Sequence, residues 1–164
     1  MSLIFYTNPQ SRGRITHWML EEVGEPYETR TVDYGTTMKA PDYLAINPMG
    51  KVPALIHGGE VITEGAAIIT YLADAFPAAG LMPANRAGFF RWMFFGAGPV
   101  EAAVTNKALG FDVPPERRGM VGYGSLEAVT NTLAAQLEKT PYLCGDTFSA
   151  ADVYVGSQIG FGMR

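Results

Sequence analysis

Residues 3–32 read LIFYTNPQSRGRITHWMLEEVGEPYETRTV, and this stretch decides the fold. Leu3-Ile4-Phe5-Tyr6 is a short apolar run of the kind that forms a buried strand. Thr7-Asn8-Pro9-Gln10 is turn chemistry, and Ser11 stands where a helix N-cap would. Ile15, Trp18, Met19 and Val23 then recur at i, i+3, i+4 and i+8, one face of a helix. Gly24 stops that helix from the C′ position, where a left-handed residue is wanted. Tyr27–Val32 alternates polar and β-forming residues, a second strand. Strand, helix and strand in this order predict a βαβ unit with parallel strands and a right-handed crossover.

Working outward, Lys39–Ala45 reads as a short helical piece ahead of Asn47-Pro48-Met49-Gly50. Val52-Pro53-Ala54-Leu55-Ile56 and Val61-Ile62-Thr63 flank His57-Gly58-Gly59-Glu60, an antiparallel hairpin. Gly65–Phe76 is a helix with Ala67, Ile68, Tyr71, Leu72 and Ala75 on one side. Residues 1–76 therefore form an α/β domain of order β-α-β-α-β-β-α. The proline-bracketed stretch 77–84 is a linker, and residues 85–164 are all-helical. Asn85–Leu109 is an aromatic-rich helix, and Ser125–Glu138 carries Leu126, Val129, Leu133 and Leu137 on one stripe. A third helix opens at Ser149-Ala150-Ala151-Asp152, which has capping-box spacing with Asp in place of Glu or Gln. Phe148 stands at N′, placed to staple onto Val153. This helix still runs where the sequence stops, so the helical domain is expected to be truncated.

Composition narrows the function. The chain has 164 residues, 48% of them apolar and 17% charged, the make-up of a core-forming protein. Twelve Lys and Arg against sixteen Asp and Glu give a net charge of −4. With no basic run, a nucleic-acid footprint is not expected. The longest apolar stretch, Ala87–Val100, contains Arg91, Gly96, Gly98 and Pro99 and is too broken to span a bilayer. The opening residues carry no basic n-region or small-residue cleavage site, so secretion is not expected. One cysteine, Cys144, allows neither an internal disulfide nor a CxxC pair, and it reads as a buried small hydrophobe. With only His17 and His57 beside it, metal catalysis has little to build on. A reducing cytoplasm fits these features.

Four segments together resemble the glutathione S-transferases. They are Phe5–Arg12, Asn47-Pro48-Met49-Gly50-Lys51-Val52-Pro53-Ala54-Leu55, Thr63-Glu64-Gly65-Ala66-Ala67-Ile68-Ile69-Thr70-Tyr71-Leu72, and Gly145-Asp146-Thr147-Phe148-Ser149-Ala150-Ala151-Asp152. The second is similar to the family's N-P-x-G-x-V/I-P-x-L segment with its cis proline. The third is similar to its E-S-x-A-I-x-x-Y-L segment, and the fourth to its helical-domain G-D-x-x-[ST]-x-A-D signature. The resemblance implies a thioredoxin-like first domain, an all-helical second domain, and a cytosolic homodimer that uses glutathione.

Only a thiolate is nucleophilic, and a free thiol has a pKa of about 8.5. A hydroxyl at a helix start, beside unpaired backbone N–H groups and the positive helix end, favours the anion. Ser11 is the leading candidate for that hydroxyl, against the plainer reading of an N-cap, and Arg12 and Arg14 add positive charge. Tyr6 is the rival, since several classes of the family use a tyrosine at the end of the first strand. Asn8 is a third polar donor in the same loop. No cysteine stands there, which argues against a glutaredoxin-like reductase.

By resemblance, a cis Pro53 exposes the Val52 backbone to the cysteinyl backbone of glutathione, like an added strand. Its γ-glutamyl end meets Glu64 and Gly65. Gly65 replaces the family's Ser or Thr, keeping the N–H and losing the hydroxyl. Lys39 and Lys51 flank the expected glycyl carboxylate. Asp152 reads as structural. Phe89, Phe90, Trp92, Met93, Phe94 and Phe95 are too many for one helix face, so some are expected on the first domain or across a dimer, and some in an apolar pocket for the electrophile. The expected activity is transfer of glutathione to a small apolar electrophile, with no metal. The alternative is a non-catalytic binding or regulatory relative.

Overall fold

The computed structural model describes residues 2–162. They form two compact units, one through Ala79 and one from Gly80.

In the first unit, strand β1 (Leu3–Thr7) leads to helix α1 (Gly13–Val23) and strand β2 (Tyr27–Thr31). A 3-10 turn (Thr37–Lys39) and helix α2 (Pro41–Leu44) follow. Strands β3 (Ala54–His57) and β4 (Glu60–Thr63) and helix α3 (Gly65–Ala75) complete it. The sheet order is β2-β1-β3-β4, with β1 parallel to β2 and antiparallel to β3, and β3 antiparallel to β4. This is the thioredoxin-like arrangement.

The pleat sorts β1 into two faces. Phe5 lies opposite Leu55, and both are fully buried, as are Met19 and Leu20 of α1 and Ile68, Ile69 and Leu72 of α3. Tyr6 lies opposite Ala54 and clusters on the other face with Val32, Met38 and Tyr43. Each large apolar side chain so buried contributes about 1.5–3 kcal/mol of transfer free energy.

The buried helix faces differ from those the spacing predicts. On α1, Ile15, Thr16, Met19 and Leu20 are buried, whereas Trp18 is 40% exposed and donates to Glu22 Oε1 at 2.8 Å. The indole N–H gains a partner at the rim that the core does not provide. On α3 the buried set is Ile68, Ile69, Leu72 and Ala73, with Ala67 and Ala75 exposed. The predicted piece Lys39–Ala45 is split at Ala40, which is extended (φ −72°, ψ 151°) because it precedes Pro41.

The second unit holds α4 (Arg86–Phe95), α5 (Glu101–Ala108), α6 (Leu126–Leu137) and α7 (Ala150–Gly162). The expected single helix Asn85–Leu109 is divided by a π-helical turn at Gly96–Val100. Pro99 has no N–H and its ring collides with the carbonyl four residues earlier, and the wider turn absorbs the conflict. A Cβ on Gly96 would come within 2.9 Å of Val155 Cγ2 and 3.0 Å of Tyr154 Cδ1, so α7 crosses here at close range. Phe89, Trp92 and Met93 are buried, while Phe90 and Phe94 are 43% and 72% exposed. Cys144 is half-buried rather than enclosed, and burial pushes its thiol pKa up.

The start of α7 carries the expected cap. Asp152 Oδ2 accepts from the Ser149 N–H at 2.9 Å and from the Ser149 hydroxyl at 2.8 Å. Oδ1 accepts from the Leu143 N–H at 2.8 Å, tying the preceding loop to the helix. The Phe148 ring stands edge-on to Tyr142, with centroids 5.7 Å apart.

Candidate functional site

Strand register gathers the candidate residues. Arg30, Tyr6, Ala54 and Thr63 form one row across the sheet. Beyond that row lie the loop leaving β1, the Val52-Pro53 lead-in to β3, and Glu64-Gly65 at the start of α3. The N-terminus of α1 reaches the same end: a Cβ on Gly13 would sit 2.2 Å from Thr7 Oγ1 and 2.9 Å from Ser11 Oγ. No side chain fits at Gly13, which seats the helix end against the sheet.

The loop after β1 is closed by its own polar groups. Ser11 is buried, and its hydroxyl donates to the Asn8 carbonyl at 2.6 Å and accepts from the Gly13 N–H at 2.9 Å. The helix N-cap is Arg12, so Ser11 acts one position earlier than the sequence suggests. It satisfies one of the N–H groups a helix start leaves open. The Asn8 amide donates to the Val32 carbonyl at 3.0 Å, and its oxygen accepts from the Gln10 N–H at 3.0 Å. Asn8 is thus committed to the loop rather than offered to a ligand.

Tyr6 is buried against Tyr43, ring centroids 5.5 Å apart. Its hydroxyl accepts from Arg30 Nη1 at 2.9 Å. Arg30 also pairs with Glu28 at 2.7 Å, a hydrogen bond that raises the arginine pKa and lowers that of Glu28.

The segment before β3 is braced from three sides. Asn47 Nδ2 and the Tyr43 hydroxyl both donate to the Lys51 carbonyl. Burial pushes the Tyr43 pKa up to about 12, so it stays a donor. Lys39 Nζ donates to the carbonyls of Gly50 at 2.7 Å and Met49 at 3.0 Å. Lys51 itself is exposed, Val52 and Pro53 are half-buried, and the peptide between them is cis. At α3, Glu64 takes φ 68° and ψ 119° with no side-chain cap bond, and its carbonyl accepts from Ile68 N–H. A non-glycine residue there stores roughly 1–3 kcal/mol of backbone strain, a feature that collects at ligand sites.

Sequence reading did not assign the bracing roles of Lys39, Tyr43 and Asn47. The signal for Asn47 is its place before Pro48, since Asx side chains close turns onto nearby backbone. Among the described residues, no group of three His, Cys, Asp or Glu could hold a metal ion.

A thioredoxin-like sheet with a polar loop, a braced segment before β3 and a helix start at one end is the frame of a thiol-handling protein. The glutathione S-transferase N-terminal domain family matches residues 12–75. Glutathione S-transferase GST-4.5 of Xanthomonas campestris is 31% identical over 159 residues, spanning 92% of this chain and 78% of its own. A solved glutathione transferase from Methylococcus capsulatus is similar at a TM-score of 0.78 and 31% identity, covering 97% of this chain and 81% of its own. A Sulfitobacter glutathione transferase homolog solved with bound glutathione gives 0.71 and 27%, covering 99% and 83%. The chain belongs to the glutathione S-transferase family.

Proposed function

We propose that this chain binds glutathione at the row's end of the sheet and transfers it, through its sulfur, to a small apolar electrophile. The sheet register supports this reading: the loop after β1, the Val52-Pro53 lead-in to β3 and the start of α3 all lie just beyond the row Arg30-Tyr6-Ala54-Thr63. Residues 1–76 serve as the glutathione-binding domain, 77–84 as the linker and 85–164 as the helical domain. The cysteinyl backbone pairs with Val52 ahead of Pro53, as an added strand does. The γ-glutamyl carboxylate meets the N–H of Gly65 at the start of α3, and Glu64 faces the ammonium. Lys51 takes the glycyl carboxylate, helped by Lys39. An ammonium has three protons, and the bonds to the Gly50 and Met49 carbonyls use two of them.

Ser11 donates to the sulfur and stabilises the thiolate, with Tyr6 as the rival hydroxyl. The thiol proton goes to solvent. The thiolate then forms a carbon–sulfur bond, and the leaving group departs with its electron pair. This step calls on no metal or further cofactor. Exposed Phe90 and Phe94 on one face of α4 support a two-fold homodimer through that helix. No described helix is long and apolar enough to cross a membrane, and the protein acts in the cytoplasm.

The test is turnover of an aryl halide with glutathione, together with retention on immobilised glutathione. Retention without turnover would favour the binding-protein alternative. Glu64 supplies an independent check. Glu64→Gly relieves the positive-φ strain and should raise stability by about 1 kcal/mol while weakening glutathione retention. Lower stability with unchanged retention would remove Glu64 from the site.

A further inference from the structure

We propose that Asn8 is the positioning residue for the thiolate-stabilising hydroxyl, acting through Ser11. The inference rests on the transferase reading above. Pro9 has no N–H and cannot extend the parallel pairing of β1 with β2. The Val32 N–H bonds to the Thr7 carbonyl at 2.9 Å, and the next rung is made by a side chain, Asn8 Nδ2 to the Val32 carbonyl at 3.0 Å. The same amide holds the Gln10 N–H. Asn8 is buried, and its bond to the Val32 carbonyl is shielded from water, while the one from the Gln10 N–H is partly so.

Its main chain then holds the hydroxyl. The Asn8 carbonyl accepts from the Ser11 N–H at 2.9 Å and from the Ser11 hydroxyl at 2.6 Å. A serine hydroxyl has one proton and two acceptor sites. One acceptor site is engaged by the Gly13 N–H, so the proton rests on Asn8 until a sulfur anion draws it away. When it swings, the Asn8 carbonyl keeps the Ser11 N–H and is not orphaned. Asn8 thereby parks the proton at a low cost of release and fixes the oxygen from which it is delivered.

The experiment titrates the thiolate absorbance of bound glutathione for wild type, Asn8→Ala, Ser11→Ala and the double variant. Asn8→Ala should raise the bound-thiol pKa by about one unit, lower kcat at neutral pH, and leave KM for glutathione little changed. The double variant should shift no further than Ser11→Ala alone, because Asn8 acts through that hydroxyl. Asn8→Ser, whose hydroxyl can still accept from Gln10 N–H but is too short for Val32, provides a milder variant of the same sign should Asn8→Ala fail to fold. An unmoved titration in a folded Asn8 variant overturns the proposal, as does a double variant whose shifts add. A wild-type titration identical to that of free glutathione overturns the transferase reading itself, and with it this one.

Discussion

Ser11→Ala is expected to raise the bound-thiol pKa by about one to two units, since a hydrogen bond to a charged acceptor contributes about 1.5–3 kcal/mol and one unit is about 1.4. A thiol lowered from about 8.5 to about 6.5 goes from roughly 3% to roughly 75% thiolate at pH 7, so most of the neutral-pH rate is at stake. Glutathione affinity should change little, because the Val52 backbone and the α3 start are untouched. The same substitution should cost about 1 kcal/mol of stability, because the Gly13 N–H loses its acceptor. The two effects are separable: one belongs to the oxygen's lone pair and the other to its proton. Tyr6→Phe is the control. It removes the acceptor for Arg30 Nη1 and should leave the titration in place. A titration that moves with Tyr6→Phe and not with Ser11→Ala would transfer the role to Tyr6.

Asp152→Ala is expected to cost about 3–4 kcal/mol, well beyond an ordinary lost cap at about 1. The carboxylate accepts three hydrogen bonds, two from backbone N–H groups and one from a hydroxyl. Ser149 is 1% exposed, so its N–H finds no water in exchange. Denaturant titration of both proteins gives the difference, and Asp152→Asn, which keeps one acceptor oxygen, should fall between them. A loss under 1 kcal/mol would mean that solvent replaces the carboxylate.

Much of this was legible in the residues. The apolar run Leu3–Tyr6 reads as a buried strand, and the structure buries Phe5 and Tyr6 on opposite faces of the sheet. Ser149 and Asp152 stand three apart, and a cap at that spacing needs nothing from elsewhere in the chain. Helix faces were read less well. Spacing on α1 placed Ile15 and Met19 inside correctly, but it also favoured Trp18 and Val23 where the structure buries Thr16 and Leu20. Periodicity locates an apolar stripe only to within a residue or so, and packing on the sheet and α3 sets its rotation.

The order of strands and helices, the N-P-x-G-x-V-P segment and the α7 cap were determined by sequence alone, because each depends on groups a few residues apart. Tertiary structure alone decided what each polar group at the candidate site does. Asn8 reaches Val32 across 24 residues of sequence, and Tyr6 meets Arg30 across 24. Lys39 braces carbonyls 10 and 11 residues on. Such partners depend on strand register and loop closure, which no local pattern encodes. A side chain that reads as a free donor can therefore be committed once the sheet forms, as Asn8 is, and a serine that reads as a cap or a catalyst can have an oxygen placed for both.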